Sequence, residues 1–176
     1  MSTKWLIDPM HSEMQFKVKH LMITTVTGYF KKFSLQAETE SDNFETASKI
    51  VFTADINSID TNNEQRDGHL KSADFFDAEK FPELTFTGKK YSGSGDEGAL
   101  LGDLTIRGVT KPVTIKVEFG GIAVDSYGQT KAGFSISAKI SRKEFGLTWN
   151  AVTEAGSVVA SDDVKVLGEI QLIKQA

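Results

Sequence analysis

The chain contains no cysteine. Disulfides, thiolate metal sites and a cysteine nucleophile are therefore excluded. An excess of positive charge is also missing: 20 Lys and Arg stand against 24 Asp and Glu, for a net charge of -4. Nucleic-acid binding draws on clustered cations that release counterions, and no such block exists here. Long apolar runs are absent as well. Asp8 cuts off Trp5-Leu6-Ile7, which is too short for the apolar core of a signal peptide. Nothing approaches a membrane-spanning helix. The expectation is a cytoplasmic protein that does not span a membrane. Proline is scarce, at 3 residues in 176, and Pro9, Pro82 and Pro112 fall at the edges of patterned runs, where a missing amide proton costs least.

What the chain does have is phenylalanine: 12 Phe against 3 Tyr and 2 Trp. The remaining composition, 39% hydrophobic and 25% charged, is that of an ordinary globular protein. The length suits one domain over residues 1–176, able to bury roughly 70% of its unfolded surface.

Period-two alternation dominates. Met14, Phe16 and Val18 alternate with Gln15, Lys17 and Lys19. The same pattern runs through Ile50, Phe52, Ala54 and Ile56, through Leu84 and Phe86, and through Leu104 and Ile106. It continues through Val113, Ile115, Val117 and Phe119, through Ala132 to Ile140, and through Val164, Val166, Gly168, Ile170 and Leu172. One apolar and one polar face is the signature of half-buried antiparallel strands. Arg107 to Pro112 suggests a hairpin connection, while Ser92 to Gly98 and Gly120-Gly121 suggest flexible loops. The acidic stretch Glu38 to Glu45 is expected to be a solvated loop.

One segment departs from the pattern. Thr61-Asn62-Asn63-Glu64 has capping-box spacing and predicts a short helix through Ser72, with Asp67 and Lys71 as an i,i+4 pair. The adjacent aromatics Phe75 and Phe76 suggest a plug on a sheet end. About eight strands with one short helix point to an all-β, closed antiparallel barrel, since closure hides edges that Phe-rich strands would otherwise expose.

Several segments together resemble one family. Trp5-Leu6-Ile7-Asp8-Pro9-Met10-His11-Ser12 and Phe16 to His20 are similar to its opening, followed by Gly28-Tyr29-Phe30. Asp60-Thr61, Arg66 to Leu70 and Asp74-Phe75-Phe76-Asp77 are similar to its middle, with Phe81-Pro82 just after. Gly102 to Val113 and Arg142-Lys143-Glu144-Phe145-Gly146-Leu147-Thr148-Trp149 complete the match. The chain thus resembles the YceI-like, polyisoprenoid-binding family. That resemblance implies an extended lipocalin-like barrel with a long apolar cavity, an isoprenoid or similar long-chain amphiphile as ligand, and a homodimer. It implies no catalytic motif and no cofactor.

The residue chemistry is compatible with such a ligand. At about 0.8 kcal/mol per buried CH₂, a chain of about 20 carbons gains a gross ~16 kcal/mol, against ~4–15 kcal/mol for association. The alternative is that the same side chains fill a dry core, making the barrel a structural or interaction module. Strand parity nominates Met14, Phe16, Val18, Phe30, Phe52, Phe86, Leu104, Ile115, Val117, Phe134, Ile136, Val166 and Ile170 as cavity walls. His20, Arg66 and His69 are the candidates for a polar head group. The competing reading of Arg66 and Asp67 is a hydrogen-bonded structural pair. His11, His20 and His69 lack metal-ligand spacing, and no nucleophile elbow is present, so neither metal nor catalysis is expected. Trp149 beside Asn150 is expected to be a core or dimer contact.

Overall fold

The computed structural model describes residues 2–149 and 160–176. In chain order it places β1 at Ser2–Ile7, β2 at Glu13–His20, β3 at Thr24–Phe30, β4 at Phe33–Glu40 and β5 at Asn43–Asp55. There follow β6 at Ile59–Asp60, α1 at Glu64–Lys71, β7 at Glu83–Ser94 and β8 at Glu97–Ile106. The chain closes with β9 at Val109–Val124, β10 at Thr130–Ser141 and β11 at Ala160–Lys174.

Eight of these strands close an antiparallel barrel in the order β1-β4-β5-β7-β8-β9-β10-β11. Closure is made by β1 against the end of β11, with Trp5 opposite Lys174 and Ile7 opposite Leu172. The first half of β11 pairs instead with β2, from Glu169↔Glu13 to Ala160↔His20. From β2 the ribbon continues to β3, and β3 meets β6 only at Tyr29 and Phe30. The expected fold class is thus the one observed.

Local chemistry accounts for the joins. Arg107 and Gly108 both take positive φ, 52° and 75°, the two-residue hairpin geometry that matches strand twist. Gly28 sits opposite Phe16, and the Phe16 ring lies against it where a Cβ would stand.

The structure corrects several expectations. Glu38 to Glu45 is not a loop: it is the end of β4 and the start of β5, joined at Ser41-Asp42. Its acids line the outer face while Ala37, Thr39 and Phe44 are buried, so outward carboxylates masked a strand. Ser92 to Gly98 is mostly strand, turning only at Gly95-Asp96, with the Tyr91 ring laid over Gly93 and Gly98. Gly120-Gly121 lies inside β9, at a bulge opposite Gly133-Phe134. Ile56 belongs to a short turn after β5 rather than to the strand. The helix cap is Asn63, whose side chain accepts from the Arg66 amide. Asp67 accepts from the Thr61 amide at 2.8 Å and is not partnered by Lys71.

Two apolar clusters lie at opposite ends of the barrel. One gathers Trp5, Met14, Phe44, Ala132, Ile170 and Leu172. The other gathers Ala54, Ile56, Phe75, Leu84, Phe86, Leu104, Ile106, Phe145 and Leu147 near α1. Phe75 is indeed a plug: only 8% exposed, it packs with residues from the ends of β7 and β8.

Candidate functional site

Between these clusters the barrel is hollow. The cavity has a volume of about 510 Å³ and walls that are almost wholly apolar. That volume falls in the range of sites that enclose small-molecule ligands. Every residue nominated from strand parity lies on its wall, as do His20, Arg66 and His69. The sequence reading missed other wall residues, among them Leu35, Phe44, Tyr91, Leu100 and Arg142. Phe44 lies in the stretch that its outward acids disguised as a loop, and Leu35 lies in β4 just before it.

Exposure locates the opening. Among the described residues, the exposed wall residues are Lys19, His20, Arg66 and Trp149. All four lie at the end where β2 finishes and α1 crosses. This is also where the first half of β3, residues 24–28, has no strand partner beyond β2 among the described residues. The opposite end is shut by aromatic rings. Phe44 lies 4.8 Å from Trp5 and 4.9 Å from Phe134, and Phe119 lies 5.2 Å from Phe134 (ring centroids).

The polar groups at the mouth are held in place. Arg66 donates through Nε to Thr61 Oγ1 at 2.8 Å and through Nη2 to the Thr61 carbonyl at 2.7 Å. Arg66 and Asp67 thus both fasten Thr61, which is the structural arrangement weighed above. Arg66 is nevertheless exposed on the cavity wall, and a guanidinium has more donors than these two bonds use. His69 Nε2 lies 2.8 Å from Asp74 Oδ2, and its ring meets Trp149 edge-on at 4.5 Å. Trp149 is 37% exposed and also contacts Phe75. Asn150 lies outside the described residues.

Arg142 is the main functional-end residue whose role was not legible. It is 6% exposed, its hydrogen bonds among the described residues go to carbonyls, and its guanidinium lies over the Phe75 ring at 5.8 Å. Nε donates to Ser161 O at 2.8 Å, Nη1 to Leu147 O at 2.8 Å and Trp149 O at 2.7 Å, and Nη2 to Ala160 O at 3.3 Å. Burial lowers its pKa, opposed by the nearby Asp162. The left-handed Gly146, φ 81°, turns the chain so that Leu147 and Trp149 face the guanidinium. One side chain therefore ties the start of β11 to the segment carrying Trp149.

The far end holds a different polar group. Asp8, 7% exposed, accepts from Lys131 Nζ at 2.7 Å, and its Oδ2 lies 2.7 Å from His11 Nδ1. The Lys131 hydrogen bond, followed by that of His11 and opposed by burial, holds Asp8 down to about 2. Lys131 also reaches Asp125 at 3.3 Å. His11 is thus far from His20 and His69, and no group of metal-ligating residues converges among the described residues.

Comparison with known proteins gives a consistent picture. The model of the YceI-like domain family matches residues 5–172. A UPF0312 protein of Staphylococcus epidermidis is 40% identical over 164 residues, covering 93% of each chain. The structure of the Campylobacter jejuni YceI protein superposes with a TM-score of 0.77 at 36% identity over 90% of each chain. Burkholderia cenocepacia BcnA shares the fold at 22% identity and a TM-score of 0.80, over 94% of this chain and 98% of its own. So does a polyisoprenoid-binding domain from Saccharophagus degradans, at 15% and 0.71, over 97% and 98%.

Proposed function

The chain belongs to the YceI-like domain family, and from that premise we propose that it binds a long-chain isoprenoid or similar amphiphilic lipid inside the barrel, as a carrier or sequestering protein. The observation that carries this reading is the hollow interior: about 510 Å³ behind an apolar wall, open at one end. A solvent-filled apolar tunnel is costly to maintain, and a hydrocarbon chain removes that cost without needing hydrogen bonds along its length. The polar end of the ligand lies at the mouth, where Arg66 and His20 are exposed and His69 adjoins. The tail points toward Phe134 and Phe44. Binding of a polyisoprenoid, as named for the Saccharophagus domain, supports this class of ligand. The role is binding without chemistry, and the protein acts as a homodimer.

Organic extraction and mass spectrometry of the purified protein test the reading, with titration by the fluorescent polyene cis-parinaric acid. A co-purifying lipid or saturable uptake is expected. No extractable lipid and no uptake would favour the dry structural barrel.

A further inference from the structure

A ligand of this kind is nearly insoluble in water, so the mouth must receive it from somewhere. Two features of the mouth end bear on its source. The first is the tip joining β2 to β3. Met22 and Ile23 are 61% and 77% exposed there, immediately after the wall residue His20. Leu21 and Met22 both take left-handed φ, 52° and 61°, a conformation that side-chain-bearing residues rarely adopt. The tip thus projects an apolar pair into solvent beside the opening.

The second feature is charge arranged along the strands. On the outer face of β10, β11 and β2, Lys139, Lys165 and Lys17 stand in one cross-strand row. Lys19 follows one pleat closer to the mouth. Four residues back along the same strands, Glu169 pairs across to Glu13. That row continues through Ser135 and Glu118 to Glu97. The two rows are about 13 Å apart, more than a Debye length at physiological salt, so a charged surface meets them separately. Lys17, Lys19 and Lys165 have no ion pair among the described residues. The acids that precede Lys165 on β11 are already engaged: Asp163 with Lys139, and Asp162 with Ser141 Oγ and the Lys143 amide. On this face, the strands are therefore positive toward the mouth and negative toward the shut end.

We propose that the Met22-Ile23 tip, together with Lys17, Lys19 and Lys165, docks the open end of the barrel on an anionic lipid surface. The apolar pair enters the interface, the lysines meet the headgroups, and Trp149 stands at the level where aromatic side chains favour a membrane boundary. The opposite end also exposes Met10, Val124 and Tyr127. Those residues lie at the shut end, on the side of the glutamate row, which an anionic surface repels. The inference rests on the lipid-binding reading, for which docking supplies the route of the ligand.

Vesicle sedimentation tests it, using phosphatidylcholine alone or mixed with phosphatidylglycerol. Association is expected only with the mixed vesicles and should weaken as salt rises. The double variant Met22→Ser/Ile23→Ser should bind them roughly tenfold less well. Each of Lys17→Gln and Lys165→Gln should weaken binding about fivefold, and Val124→Ser/Tyr127→Ser should leave it unchanged. Uptake of cis-parinaric acid without vesicles should be the same in all of them, which shows that each is folded and hollow. Wild-type protein that takes up parinaric acid but ignores the mixed vesicles overturns docking and leaves the lipid-binding reading intact. Failure of uptake in the wild type strikes the lipid-binding reading instead. A tip variant that still sediments normally but converts a dimer to a monomer by light scattering also overturns docking, because the tip would then be an interface between copies.

Discussion

The two ends of the barrel are built from the same kind of strand yet held by opposite means. At the shut end, polar groups satisfy one another in pairs: Trp5 Nε1 donates to Thr39 Oγ1 at 2.9 Å, and Asp8 sits between Lys131 and His11. Aromatic rings fill what remains. At the open end, one buried cation, Arg142, serves backbone carbonyls of two separate segments, while Arg66 and Asp67 fasten the buried Thr61 and His69 meets Asp74. Side chains that consume one another's hydrogen bonds can be packed solid. The contrast teaches that one end is closed by rings stacked across the barrel, Trp5, Phe44, Phe134 and Phe119, while the other is framed by a single guanidinium that spans two segments.

The largest expected effect breaks the open end. Arg142→Met leaves the carbonyls of Leu147, Trp149 and Ser161 without the guanidinium, and should cost about 3–5 kcal/mol in urea unfolding. Arg142→Lys should recover little of this, because one ammonium lacks the planar reach of a guanidinium. Next in size is Phe134→Asp. It places a charge between Phe44 and Phe119, so stability should drop by about 3 kcal/mol and parinaric acid uptake should vanish. Normal uptake by the folded variant would mean that the tail does not reach the shut end.

Lowering pH should loosen the shut end selectively. Asp8 is held below its ordinary value of 3.8, at about 2. Its ionised form is therefore favoured by folding, and the contribution is complete above pH ~4. It disappears as pH falls from about 4 to about 2, removing about 2 kcal/mol. Chemical unfolding at a series of pH values measures this, and Asp8→Asn should abolish that segment of the pH dependence. The smallest effect is expected of Arg66→Gln. Its side chain is exposed although its two bonds reach the buried Thr61, so stability should shift by no more than about 1 kcal/mol. Ligand affinity should change more for lipids with a polar or anionic head than for a plain hydrocarbon. Equal changes for both would remove Arg66 from the head-group site.

The wall of the cavity was readable residue by residue where the outer face was mixed. In β10, Phe134 and Ile136 alternate with serines, and period two points them inward. Readability failed where the outward residues were all acidic, as at Glu38 and Glu40 in β4. Carboxylates there imitate a solvated loop, although Ala37 and Thr39 are buried between them. It failed again at glycine. Gly93, Gly98, Gly120 and Gly121 look like loop, yet they lie in strands, with Tyr91 folded over the first two. Arg142 was visible as part of a motif, but its partners are carbonyls from residues as far away as Ser161. No local pattern encodes them.

Side-chain parity is a local consequence of the pleat, so the sequence alone determined which residues face inward and that they are apolar. It also determined the all-β class, because period two recurs in nearly every segment. Whether those inward faces meet or stand apart depends on how many strands close the ring and where β1 joins β11, which are pairings between residues far apart in the chain. The tertiary structure decided the hollow interior, the rings that shut one end and the guanidinium that frames the other.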